Sequence, residues 1–155
     1  MEKRFVLAVL AVLLAASAYS QTTDELIKND YKLVQNGTPQ DVQAAISNGA
    51  DIEARGNEGL TPLIWAAGSN KNPEVIATLL KAGADIEARD SYYGRTALMF
   101  AVIFNDIPEV ITTLLAAGAD AKVKDSTGKT AFDYAQDNWK LKGTDALKQL
   151  EEASK

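Results

Sequence analysis

Carboxylates are the side chains most available for chemistry in this sequence. There are 21 Asp and Glu against 16 Lys and Arg, with no histidine and no cysteine. Two carboxyls can cleave a glycosidic bond when they face each other across a cleft and one is held protonated. Here they recur on a pattern instead. Asp51, Asp85 and Asp120 each follow Gly-Ala, where Asp readily forms local turns. Glu74 and Glu109 each follow a proline that opens a helix, where the helix dipole favours an anion. Without cysteine there is no disulfide, thiolate nucleophile or thiolate metal site. Without histidine the usual general base and commonest metal ligand is missing. The net charge of −5 argues against nucleic acid and against adsorption to an anionic membrane surface, both of which reward clustered Lys and Arg. The composition points away from an enzyme, a metal or a cofactor, and toward binding.

The elements that carry these residues repeat. Gly59 to Asp85 reads as a turn, a short helix from Thr61-Pro62, a loop, a second helix from Asn72-Pro73 and a Gly-Ala-Asp stop. Gly94 to Asp120 repeats it, sharing G-x-T-[PA]-L, P-E-V-I, T-L-L and A-G-A-D. A degenerate copy opens at Gly128-Lys129-Thr130, and an N-terminal half-copy closes at Gly49-Ala50-Asp51. The spacing is 34 residues from Gly49 to Gly83, 35 from Gly83 to Gly118, 35 from Gly59 to Gly94 and 34 from Gly94 to Gly128. The extra residue therefore falls between Gly83 and Gly94, beside Tyr92 and Tyr93. Self-similarity at this period is the signature of a solenoid. Gly59, Gly94 and Gly128, one per repeat, read as turn glycines and not as a phosphate-cradling loop.

Leu63, Ala66 and Ala67, with Val75, Ile76, Leu79 and Leu80, form the apolar faces that stacking would bury, because one unit this small cannot bury its own. Thr38 caps a helix with Pro39 in its first turn and Val42, Ala45 and Ile46 as its stripe. Residues 23–34 put Leu26, Ile27, Leu33 and Val34 on one helical face, with Asp24 and Glu25 in the first turn. Ile107-Pro108 lacks a capping side chain, a role Asp106 is expected to take. At the far end, residues 144–153 form a last helix with Ala146, Leu147 and Leu150 inward.

Thr61-Pro62-Leu63-Ile64-Trp65-Ala66-Ala67 is similar to the T-P-L-H-x-A core of the ankyrin repeat, departing at the histidine, here Ile64, Met99 or Asp133. The loop 68–72 is one residue longer than the family norm. The resemblance covers residues 36–135 clearly. It implies an all-α solenoid of about four stacked helix-turn-helix units with hairpin-like fingers: an N-terminal cap at 23–50, repeats at 51–84 and 85–119, and a C-terminal cap repeat at 120–155. It also implies a protein partner held by finger tips and the concave face of the first helices. Aligned by repeat, these are Asn57, Glu58, Leu60, Gly68 and Ser69, then Tyr92, Tyr93, Arg95, Ile103 and Phe104, then Ser126, Thr127, Lys129, Asp137 and Asn138. The middle set is unusual: Ile103 and Phe104 stand where exposed, variable residues are normal. Phe104 has a second reading, in which it folds under its neighbours to fill space left by the longer loop. Trp65, Phe100 and Tyr134 share one repeat position and read as a wall between helices and fingers. Trp139 is open between cap residue and site residue.

Lys3 and Arg4, the apolar run from Phe5 to Ala16 and the small residues Ala16-Ser17-Ala18 and Ala18-Tyr19-Ser20 match a secretory signal peptide. The run has 12 residues, against about 20 needed to span a bilayer. The expectation is a signal peptide at 1–18, cut after Ala18 or Ser20, and a periplasmic or secreted ankyrin-type domain from 19 to 155. The free protein is expected to be a monomer. Its role is expected to be binding, and so inhibiting or protecting against, an exported enzyme. The alternatives are a secreted effector acting on host proteins and a carboxylate-dependent enzyme.

Overall fold

The computed structural model describes residues 31–56 and 58–155. The expected signal peptide, the start of the first helix with Leu26 and Ile27, and Asn57 lie outside these residues. Residues 31–36 are helical (α1). They are followed by α2 (Pro39–Ser47), α3 (Pro62–Ser69), α4 (Pro73–Lys81), α5 (Ala97–Phe104), α6 (Pro108–Ala116), α7 (Ala131–Gln136), a 3-10 turn (Trp139–Leu141) and α8 (Asp145–Ala153). The helices stack in two rows. One row runs α3, α5, α7 and the other α2, α4, α6, α8, with pairs α3–α4, α5–α6 and α7–α8 joining them. The fold is all-α.

Local chemistry explains the boundaries. The hydroxyls of Thr38, Thr61, Thr130 and Thr144 each accept a backbone N–H of the first turn that follows, and Asn72 does so with its amide oxygen. Thr96 makes no such bond. Asp106 does not cap α6 as expected. It pairs with Lys71 at 3.6 Å, while Asn105 Oδ1 accepts the Ile107 N–H at 3.0 Å, one residue earlier in the chain. Asp51, Asp85 and Asp120 close the expected turns, their Oδ1 atoms accepting the N–H of Glu53, Glu87 and Lys122 at 2.8–3.0 Å.

The two rows meet through side chains with essentially no exposure: Leu63, Ile64, Leu98 and Met99 from the first, Val75, Ile76, Leu79, Val110, Ile111 and Leu114 from the second. Ala66, Ala67, Ala97 and Ala101, also fully buried, let neighbouring first helices approach closely. At the family's histidine position, Ile64 and Met99 join the core, whereas Asp133 turns to its own helix start, accepting the N–H of Thr130 at 2.7 Å.

Polar ladders register one repeat on the next. Arg55 Nη1 donates to the Arg89 carbonyl and Arg89 Nη1 to the Lys124 carbonyl, both at 2.9 Å. Glu53 and Glu87 accept the N–H of Asp85 and Asp120, both at 2.8 Å. The fingers are turns; among the described residues no strand occurs. Besides the ladders, backbone bonds tie them together, Ser91 N–H to the Glu58 carbonyl at 3.1 Å and Ser126 N–H to the Tyr93 carbonyl at 2.8 Å. Gly59 (φ +69°) permits this approach, since a Cβ there would lie 1.9 Å from Ser91 Oγ.

Candidate functional site

Helix α5, ALMFAVIF, contains no polar side chain. An amphipathic surface helix turns a polar face to water, and one apolar all round is normally enclosed. Ala97, Leu98, Met99, Ala101 and Val102 are enclosed. Phe100 and Ile103 are half-buried, and Phe104 at the helix end is 58% exposed. Its ring lies 5.3 Å from that of Phe100, so it leans on its neighbour without being covered.

Phe104 forms a ridge between two hollows. One, of about 270 Å³, opens between α3 and α5 and is lined by Glu58, Leu60, Trp65, Gly68, Ser69 and Phe100. The other, of about 340 Å³, opens between α5 and α7 and is lined by Ile103, Tyr134, Asp137, Asn138, Trp139 and Lys140 among others. Trp139, 79% exposed, stands on its far wall. Gly68 lines the first hollow, and a Cβ there would come into ordinary contact with Phe100 at 3.4 Å.

On the finger side a polar cluster props the tyrosines. The Arg95 guanidinium lies over the Tyr93 ring at 4.2 Å and the Tyr134 ring at 5.2 Å, and Nη2 donates to Tyr134 Oη at 3.2 Å. Its Nε lies 3.6 Å from Asp125 Oδ2, an electrostatic contact beyond hydrogen-bond reach. Asp125 accepts from Tyr134 Oη at 2.6 Å, from the Thr127 hydroxyl at 2.7 Å and from the N–H groups of Thr127 and Lys129. Burial works against its charge, but these hydrogen bonds outweigh it and hold the carboxyl far below the usual carboxylate range. Asp41 and Asp133 are lowered too, chiefly by the Thr38 and Thr130 backbone N–H groups they accept.

The expected contact residues divide accordingly. Glu58, Tyr92, Tyr93, Phe104, Ser126, Lys129 and Asp137 are exposed, and Ser69 and Ile103 are half-buried on hollow walls. Three differ from the expectation of exposed contacts. Leu60 is 4% exposed: past Gly59 the chain turns inward, making it floor. Arg95 is half-buried and committed to Asp125 and the two tyrosines, so it supports the site more than it offers itself. Asn138 is a stacking residue. Its Nδ2 donates to the Val102 carbonyl at 2.8 Å, as Asn105 does to Ala67 and Asn70 does to Val34.

That ladder exposes an alignment slip. Asn105 and Asn138 are 33 residues apart, because the last unit lacks the extra loop residue of the two before it. Counting by 34 sets Asn138 opposite Phe104, whereas structurally it answers to Asn105. Trp139 and Lys140, the two residues after Asn138, line the hollow between α5 and α7. The recurring Asn before each second helix was the signal that could have set this register, whereas Trp139 was open between cap and site in the sequence and Lys140 carried no signal there.

Among the described residues, no group of three His, Cys, Asp or Glu is placed to hold a metal ion, and no helix is long and apolar enough to cross a membrane. Paired helices stacked in two rows, with fingers at one edge and an open face beside them, define a helical-repeat scaffold. The family described as ankyrin repeats (3 copies) matches residues 31–125, and the chain belongs to it. No curated protein matches the sequence. Membership makes this a protein–protein interaction module of a typically non-catalytic kind.

Proposed function

We propose that the protein is an exported, non-enzymatic module that holds another exported protein against the face formed by α3, α5, α7 and the fingers. The observation that carries this is the exposed Phe104 at the end of an entirely apolar helix, flanked by two hollows and by Trp139. Contiguous exposed apolar groups mark interaction sites, and Trp and Tyr dominate interface hot spots. Tyr93 is already ordered by Arg95, which lowers the entropy lost on binding. Export rests on the signal-peptide pattern of residues 1–18. Inhibition of, or protection against, a periplasmic enzyme is the role this combination supports best.

The test is capture from periplasmic extract by the mature protein, compared with a Phe104→Ala, Trp139→Ala double variant and with Tyr92→Ala, Phe104→Ala. Wild type should retain a partner that both variants lose. Equal capture by all three removes this face from consideration.

A further inference from the structure

We infer that the hollow between α5 and α7 receives an acidic segment of the partner, whose one large apolar side chain seats between Phe104 and Trp139. This rests on the binding reading above and gives the partner its chemistry. Two observations carry it independently. The first is shape: a hollow of about 340 Å³ with Phe104 and Trp139 on its walls and Tyr134 beside them has room for a side chain of the Leu, Phe or Trp class.

The second is charge. The chain as a whole is acidic, at −5, yet residues 122–142 reverse the sign with five lysines against three aspartates. The aspartates are largely spoken for. Asp125 is buried against Arg95, Tyr134 and Thr127, and Asp133 accepts from Thr130 at its helix start. Only Asp137 faces the hollow. The lysines are not spoken for in the same way. Ion pairs of lysine within 4 Å, among the described residues, involve Lys71, Lys148 and Lys155, and none of the five. Lys124 and Lys129 give Asp133 a weaker long-range attraction. One of the five, Lys140, lines the hollow, and Lys129 lies on the neighbouring finger with Nζ 5.2 Å from the ring of Tyr134, itself a lining residue. A socket with aromatic walls, Lys140 in its lining and a net positive finger beside it complements a carboxylate-flanked apolar side chain. A basic or uncharged segment would leave those ammonium groups partly desolvated without a partner.

The opposite end of the face agrees. The hollow between α3 and α5 has Glu58 as its one charged lining residue. The face is therefore polar along its length, negative at the first finger and positive at the last, and a bound segment would lie with its acidic end at α7. Lysines beside aromatic rings also suit an anionic bilayer or a single-stranded nucleic acid. The concave socket and the acidity of the rest of the chain favour protein.

The experiment uses the mature full-length protein and two synthetic peptides, a leucine flanked on both sides by glutamates and its twin with lysines in place of the glutamates. Both lack tryptophan, so emission from the protein's own two tryptophans, Trp65 and Trp139, reports occupancy. The glutamate peptide should bind about tenfold more tightly than its twin at low salt, with the advantage shrinking as salt rises. A Lys129→Ala, Lys140→Ala double variant should remove that advantage, and Phe104→Ala should remove binding of both, with unfolding curves confirming that each variant folds. Equal affinity for the two peptides, or binding of neither at about millimolar concentration, overturns the inference. So does equally tight, Phe104-independent binding of phosphatidylserine vesicles or oligo-deoxythymidine. Capture of a natural partner that survives the lysine changes but not Phe104→Ala sinks this inference and leaves the binding reading intact. Capture that survives Phe104→Ala sinks both.

Discussion

The repeats built on α3–α4 and on α5–α6 share almost everything that holds the stack and differ where the surface is open. Leu63 and Leu98, Ala66 and Ala101, and Ile76 and Ile111 are equivalent and buried to the same degree. Arg55 and Arg89 make the same bonds to the next unit, as do Glu53 and Glu87. Against this constancy, Gly68 and Ser69 in the first repeat become Ile103 and Phe104 in the second, and the finger gains a residue beside Tyr92, itself 67% exposed. Residues copied between repeats do structural work, because every module must present the same surface to its neighbour. Residues that change between repeats are released from that duty. The last unit shows the same rule from the other side: Lys122 and Lys124 stand where the two earlier units carry the Glu and Arg of the ladders.

This comparison can be broken at several levels. The largest effect belongs to the copied core. Leu98→Ala should cost about 2–5 kcal/mol in urea unfolding, and Leu63→Ala a similar amount; a loss under about 1 kcal/mol for either would mean that the stack relaxes around the cavity.

Asp125→Ala should come next, on the order of 3 kcal/mol, since it strands Tyr134, Thr127 and Arg95. Its pH signature has a definite sign. Asp125 titrates lower folded than unfolded, so its stabilisation is fully present above the ordinary carboxylate value of about 4 and fades as the pH falls through its own lower value. With no histidine in the chain, stability should be flat from about pH 8 to pH 5 and drop below about pH 4. Asp125→Asn should flatten that drop, and an unchanged acid limb would contradict the assignment.

The Asn ladder gives a graded pair. Asn105→Ala, at a buried position bonded to two carbonyls and one N–H, should cost about 2–3 kcal/mol. Asn138→Ala, half-buried with a single inter-repeat bond, should cost about 1 kcal/mol; equal losses would deny the difference between interior and terminal units. The smallest stability change is expected for Phe104→Ser, which copies Ser69 into the second repeat. It should move stability by less than about 0.5 kcal/mol while abolishing partner capture, and a large destabilisation would make Phe104 a packing residue.

Much of the fold was legible in the residues. The period, the threonine and asparagine caps, the Gly-Ala-Asp exits, the all-helical class and the core leucines all follow from local rules, because caps, turns and helical stripes depend on neighbours within a few positions. The candidate site was legible only in part. Ile103 and Phe104 stood out as apolar residues in variable positions, and Tyr92 and Tyr93 by the lengthened finger that carries them. Leu60, Arg95 and Asn138 did not declare themselves, since each takes its role from contacts with another finger or another repeat.

The sequence by itself determined that this chain is a stack of near-identical modules and which residues each module buries. Only the tertiary structure decided that Arg95 is committed to Asp125, that Asn138 belongs to the ladder, and that Phe104, Trp139 and Lys140 line one hollow. The physical reason is range: a cap is settled by a bond three residues long, whereas exposure at the open face is settled by surfaces some 35 residues apart in the chain, brought together by stacking alone.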